Sequence, residues 1–216
     1  INPKSYQSAN GFIYHYQQLV KDVVIPYQYQ VLNDQVEGVE KSHVVANFRN
    51  AGRMLRGEDP GDGFYGMIFQ DSDAAKWLEA VASALTRFPD AQLEKEADEL
   101  IELIAQAQDK DGYLDTRFTL KDRDKRWTNL CEGHELYCMG HMMEAAAAYF
   151  EATGKLVLEH PLTVADLGDG ARTAPGEREL LAGAQLLHHP SAGSLYLNFY
   201  YDLGNKTEDR KSGSAG

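Results

Sequence analysis

Between Asp71 and Gln108 the apolar residues fall into two runs at helical spacing, with a proline between them. Trp77, Val81, Ala84, Leu85 and Phe88 recur at i, i+4, i+7, i+8 and i+11 in the first, and Leu93, Ala97, Leu100, Ile101 and Ile104 line the second. At 3.6 residues per turn each set lies on one face of an α-helix. Asp71, Ser72 or Asp73 is the expected cap of the first helix, over 72–88, and Pro89-Asp90 separates it from the second, over 91–108. So short a connection makes the two helices antiparallel neighbours. The outer face of the second carries Glu94, Glu96, Asp98, Glu99 and Glu102, which reads as a solvated surface.

The same rhythm extends in both directions. Residues 10–25 read as a helix with Phe12, Tyr16, Leu19, Val20 and Val23 on one face, ended by Pro26, and 26–34 read as a loop. A helix over 42–55 is expected with Ser42 as its cap and Val45, Phe48 and Leu55 inward. Residues 56–66 are rich in Gly, Asp and Pro and form a loop. A helix over 133–152 stops at Thr153-Gly154-Lys155. The fold class expected is therefore all-α. After Lys155 the composition shifts: 156–178 hold Pro161, Gly168, Gly170, Pro175 and Gly176 with poor periodicity. A short helix over 177–188, a strand from Ser194 to Tyr200 and a flexible tail at 212–216 are the expectations there. Two segments follow: 1–155, helical, and 156–216, divergent.

The chain has 216 residues and a net charge of -12, and no basic cluster stands out. Nucleic acids and anionic membranes are attracted by Lys/Arg patches, so neither is the expected partner. No apolar run is long enough to span a bilayer. The start, Ile1-Asn2-Pro3-Lys4, lacks the apolar core of a signal peptide, which gives a cytoplasmic expectation, with a cleaved signal as the alternative. The two cysteines, Cys131 and Cys138, form no CxxC pair, so neither a disulfide framework nor a self-contained structural zinc site is expected. Cys131 reads as a buried free thiol.

Seven motifs occur in order: Ile25-Pro26-Tyr27-Gln28, Leu32-Asn33-Asp34, Lys41-Ser42-His43, Phe64-Tyr65-Gly66-Met67, Phe69-Gln70-Asp71-Ser72-Asp73 with Lys76-Trp77-Leu78-Glu79, Asp111-Gly112-Tyr113-Leu114, and His134-Glu135-Leu136-Tyr137 to Gly140-His141. Over roughly residues 10–155 the chain resembles the N-terminal part of the β-L-arabinofuranosidase family, glycoside hydrolase family 127. The resemblance implies an (α/α)6 toroid followed by β-sandwich domains. It also implies a retaining glycosidase whose nucleophile is a zinc-bound Cys thiolate and whose acid/base is a Glu. Zinc is thus the cofactor of the family, but the family's thiolate ligands, ligand Glu and catalytic Glu have no counterparts here. No catalytic residue and no metal ligand is therefore assigned. Five helices take up about 155 residues, so an incomplete barrel is expected, as a fragment, a chimera or an altered product. Half a toroid exposes an apolar face, which points to a homo-oligomer.

The substrate-binding candidates are His134, Phe69, Gln70, Asp71 and His43. By resemblance His134 binds a sugar hydroxyl, with Glu135 fixing either its tautomer or the helix start. Phe69 and Gln70 serve as platform and hydrogen-bond donor, and His43 lines the same pocket. The plain structural alternatives are a helix N-terminal position for each histidine and a capping role for Asp71. His134, Cys138 and His141 share one helix face, a spacing that suits a metal; a packed Cys138 is the reading adopted. In Asp111-Gly112-Tyr113-Leu114, Gly112 supplies a positive φ and Tyr113 packs back. Trp77 and Trp127 are core or loop anchors. The leading reading is a glycosidase that releases β-linked L-arabinofuranose or a related sugar from plant-type glycans. The rival is a non-catalytic helical carbohydrate-binding or scaffold protein, and a sugar epimerase is a third reading.

Overall fold

The computed structural model describes residues 11–155, Val157, and the backbone of 181–189 and 194–202. The chain divides into two compact units, Ile1–Thr163 and Val164–Gly216. Among the described residues the regular secondary structure of the first unit is all helical. Its elements are α1 (Phe12–Leu19), a π-helical stretch (Val20–Val24), α2 (Ile25–Leu32), α3 (Val44–Leu55), α4 (Asp71–Arg87), α5 (Ala91–Gln106), α6 (Thr116–Leu120), a single 3-10 turn (Arg123–Lys125) and α7 (Glu135–Thr153). None of its helices is long and apolar enough to cross a membrane.

The central hairpin follows from the sequence. Trp77, Val81 and Leu85 of α4 and Leu93, Ala97, Leu100, Ile101 and Ile104 of α5 are all buried. Asp90 starts α5 by accepting from the backbone N–H groups of Gln92 and Leu93, each at 3.1 Å. α4 packs along α7, α3 against α5, and α2 against α4. Phe48, Leu78, Leu100, Ile104 and Tyr149 sit at the centre of the resulting core. Gly52 lets α3 approach α5 closely, since a Cβ there would lie 3.1 Å from the Gln106 carbonyl oxygen. α7 ends at Gly154, whose φ of 78° is the left-handed stop expected of glycine.

Pro26 does not end the first helix. α1, the π-helical stretch and α2 run without a break from Phe12 to Leu32, and Pro26 lies in the first turn of α2. The wider π turn before it relieves the clash a proline ring makes with the preceding turn, and removes the need for its missing N–H. Residues 26–32, read as loop, are therefore helix. The face expected to be inward is open: Phe12, Tyr16, Leu19 and Val23 are exposed, while Ile25 and Leu32 are buried. Trp77 anchors this helix, donating from Nε1 to the Ile25 carbonyl at 3.0 Å and stacking on Tyr29.

Two capping expectations change. His43, not Ser42, precedes α3, and Ser42 reaches only the Val44 N–H, at 3.4 Å. Gln70 precedes α4 with no side-chain cap, so neither Asp71, Ser72 nor Asp73 caps it. His134 stands outside α7 as its preceding residue. Cys131 is exposed rather than buried, whereas Cys138 is buried as expected.

In the second unit, Leu181–His189 and Ser194–Asp202 pair as an antiparallel hairpin, in register from Leu181↔Asp202 to His189↔Ser194. The strand expected from Ser194 is present; the helix expected over 177–188 is replaced by a strand from Leu181. A short apolar run is ambiguous between the two periods, and a partner strand decides it. The divergent stretch 156–178 and the tail at 212–216 lie outside the described residues, Val157 excepted.

Candidate functional site

His43 and His134 hold equivalent positions in the fold. Each is the residue before a long helix, and each has a left-handed backbone, with φ of 58° and 55°. The left-handed conformation costs an ordinary L-residue about 1–2 kcal/mol. Among the described residues the other non-glycine residues with positive φ are Asp34, at 61°, and Trp127, at 62°. The four are linked in pairs through carboxylates. Asp34 Oδ1 accepts from the backbone N–H of His43 at 2.9 Å. Glu135, next to His134, accepts from the backbone N–H of Trp127 at 3.0 and 2.9 Å. Strain of this kind persists only where surrounding bonds over-determine it, and it concentrates at functional sites.

Around His134 the rings form a partly open cluster. Phe69 meets His134 edge to face at a centroid distance of 5.3 Å. Tyr137 lies 6.0 Å from His134 and 4.6 Å from His141, again near perpendicular. The Lys76 ammonium stands over the Tyr137 ring, 5.2 Å from its centroid, and donates to Ser72 Oγ at 3.0 Å. Phe69 and Tyr137 keep 38% and 43% of their surface exposed, enough for a ligand to touch both. The His43 ring packs on Tyr65 at 4.3 Å.

Gln70 ties the His43 loop to the Phe69 loop. Its Nε2 donates to the Ser42 carbonyl at 3.1 Å and its Oε1 accepts from the Met67 N–H at 2.9 Å. Its amide therefore braces backbone, a different use from the sugar donor expected. Asp71 departs further from expectation. It is buried, and its two oxygens accept from the Thr116 backbone N–H at 2.6 Å and hydroxyl at 2.5 Å. It fastens the start of α4 to the start of α6 rather than facing a ligand or capping a helix. Burial pushes its carboxyl up to about 6 against these two stabilising bonds. Asp115, which caps α6 through the Phe118 N–H at 3.1 Å, is raised well above the usual range by burial and by the charge of Asp71.

Glu135 is also buried, and accepts from the Tyr113 hydroxyl at 2.6 Å. It binds the 127 loop to the start of α7, instead of setting the His134 tautomer. Burial raises its carboxyl and, more strongly, the Tyr113 hydroxyl. Gly112, at φ 84°, makes the turn expected, and Tyr113 is buried as expected. The Cys138 thiol is pushed far up, first by burial and then by the nearby Asp71 and Asp115 charges. A thiol so placed stays protonated and is no nucleophile. Among the described residues no three of His, Cys, Asp and Glu are placed to hold a metal ion.

The structure thus gathers Phe69 and His134 into one cluster and joins His43 to it through Gln70, while Asp71 lies beneath. Tyr137, Lys76, Tyr65 and Asp34, which are not among the sequence candidates, also contact the cluster. Tyr137 was legible, one helical turn from both His134 and His141. Asp34 stands in the Leu32-Asn33-Asp34 motif, but nothing local marks its pairing with His43, nine residues away.

Comparison with known proteins bears on what this cluster serves. A family model described as β-L-arabinofuranosidase, GH127 catalytic domain, matches residues 7–204, past Lys155 where the recognised motifs stop. A non-reducing end β-L-arabinofuranosidase of Bifidobacterium longum subsp. longum is 38% identical over 205 residues, covering 87% of this chain and 30% of that protein. The chain therefore spans about a third of the length of that relative. A crystal structure of Ara127N-Se, a GH127 β-L-arabinofuranosidase from Geobacillus stearothermophilus T6, matches with a TM-score of 0.63 and 53% identity, over 68% of this chain and 22% of that one. The GH127 β-arabinofuranosidase BT3674 matches with a TM-score of 0.61 and 29% identity, over 71% and 24%. These neighbours are (α/α)6 barrels, and the helical unit described above is the same all-α fold over the part it covers.

Proposed function

Because this chain belongs to glycoside hydrolase family 127, we propose that it forms one wall of the sugar pocket of a β-L-arabinofuranosidase catalytic domain. The observation that carries the proposal is the half-open cluster of Phe69, His134 and Tyr137, with the His43–Tyr65 pair braced beside it by Gln70. Aromatic faces take the apolar C–H side of a sugar ring, and imidazole nitrogens pair with its hydroxyl groups. A furanoside released from a plant-type glycan is the substrate class this reading favours.

The role of these residues is to bind and orient. A retaining glycosidase needs a nucleophile and an acid/base on either side of the anomeric carbon. Among the described residues, Asp71 and Glu135 are buried in bonds to neighbouring segments, Asp115 is buried as the cap of α6, and Cys138 holds its proton. The wall therefore contributes positioning, with the imidazoles held ready by backbone strain and ring packing so that little is lost in ordering them. Two or three hydrogen bonds, each worth about 0.5–1.5 kcal/mol net, give binding in the millimolar range or weaker.

The test is a titration of the full chain with L-arabinose, following the histidine ring signals by NMR. Concentration-dependent shifts at His134, abolished in Phe69→Ala, are expected, with no hydrolysis of an aryl β-L-arabinofuranoside by this chain alone. Shifts confined to residues 156–216 with His134 silent would overturn the proposal.

A further inference from the structure

Two histidines precede two helices with the same left-handed backbone, but only one of them faces a carboxylate. Asp34 Oδ2 lies 3.5 Å from the His43 Nδ1, while its Oδ1 takes the backbone N–H of that same residue at 2.9 Å. One carboxylate thus holds the main chain of His43 and stands within ion-pair reach of its ring. Asp34 is itself fixed: its backbone is left-handed and its N–H donates to the Val31 carbonyl at 3.0 Å. The Asp34 side chain is 17% exposed and that of His43 31%, so the carboxylate is enclosed while part of the ring stays open. Tyr65 packs on that ring, and Asn47 holds Tyr65 on both sides, donating to its carbonyl at 2.8 Å and accepting from its N–H at 3.1 Å. His134 differs. Among the described residues its ring meets only the rings of Phe69 and Tyr137, with no carboxylate in ion-pair reach.

We propose that Asp34 is a positioning residue that fixes the tautomer of His43, so that His43 presents an unprotonated Nε2 to a sugar hydroxyl. A carboxylate only accepts hydrogen bonds, so a neutral imidazole facing it carries its proton on Nδ1. The remaining nitrogen is then an acceptor, and it reads a hydroxyl that donates. His134, with no such partner, is free to take either tautomer and reads a hydroxyl of either sense. The two histidines of the wall are therefore not interchangeable, and His43 is the one that discriminates. This inference rests on the proposed sugar wall, and its test separates the two.

The experiment is two-dimensional 1H–15N correlation of the histidine rings in the full chain, about two units above the ordinary histidine pKa of ~6.5. In the wild type, His43 is expected to show Nδ1–H and an unprotonated Nε2, whose signal moves on addition of L-arabinose. In Asp34→Asn the carbonyl oxygen can keep the backbone bond while the amide NH2 faces the ring as a donor. The tautomer should invert to Nε2–H, and the sugar-induced shift at His43 should fall at least fivefold while the His134 shift persists. An Nε2–H tautomer in the wild type, which needs no variant to observe, would overturn the proposal, as would a tautomer unchanged in Asp34→Asn. The expected tautomer with a silent His43 and a responding His134 would overturn the sugar role of His43 and leave the wall standing. Silence at both rings would overturn the wall itself.

Discussion

Thr116 grips the Asp71 carboxylate with two donors, its backbone N–H at 2.6 Å and its hydroxyl at 2.5 Å, across 45 positions of sequence. The pair fastens the Phe69–Gln70 loop to the start of α6 and lies close to the Asp115 and Cys138 side chains. A buried carboxylate held this way supports the site from below without touching what binds there.

Stability should therefore depend on pH through Asp71. Its folded carboxyl is raised to about 6, mainly by burial, above the ordinary value of 3.8. The folded state thus holds the proton more tightly than the unfolded chain. The contribution of this group is fully present below about pH 4 and is lost as pH rises through about 6. Chemical denaturation at pH 4.5 and 7 should show a fall on the order of 1–3 kcal/mol from this group. In Asp71→Asn the fall should shrink; an identical pH slope in the variant would contradict the assignment.

Asp90 should behave in the opposite sense. Lys21, 2.8 Å away, and the two capped N–H groups hold its carboxyl below the usual range. Its contribution is present above the ordinary carboxylate pKa of about 4 and fades as pH falls below it. Asp90→Ala should cost about 1 kcal/mol through loss of the cap. Asp90→Asn keeps an acceptor for the cap and loses only a partly exposed ion pair, so it should cost less than half as much. Urea denaturation of both variants at pH 7 is the measurement, and equal losses would show that the ion pair, not the cap, dominates.

Gly133 should resist substitution because of where His134 must stand. A Cβ at Gly133 would lie 2.6 Å from the Asn129 carbonyl oxygen and 3.3 Å from the Phe118 ring. The carbonyl belongs to backbone that already accepts the Gly133 N–H at 2.8 Å, so the turn must open. Gly133→Ala should destabilise by about 1–3 kcal/mol and shift the His134 ring signals in the absence of sugar. Stability and His134 signals equal to wild type would show that the turn is looser than its geometry implies.

The sequence alone determined what depends on neighbours along the chain. The stripes from Trp77 to Leu85 and from Leu93 to Ile104, the Pro89-Asp90 break and the Gly154 stop are local patterns, and each helix formed where they indicated. The ordered motifs, from Ile25-Pro26 to His134-Glu135, were likewise enough to place the chain in its family. Tertiary structure decided whatever depended on partners far away. Pro26 is carried through a continuous helix by the π turn before it, and that helix is anchored by Trp77 52 positions on. Asp71 reads as a helix cap or a sugar-binding residue because nothing near it in sequence announces Thr116. His134 read as a member of the Cys138 helix face because spacing cannot reveal a left-handed φ. The segment from Leu181 became a strand because a partner segment ending at Asp202 pairs with it. Periodicity records which face of a segment is buried; it holds no information about which distant group will meet a side chain there, and that pairing set the chemistry of this site.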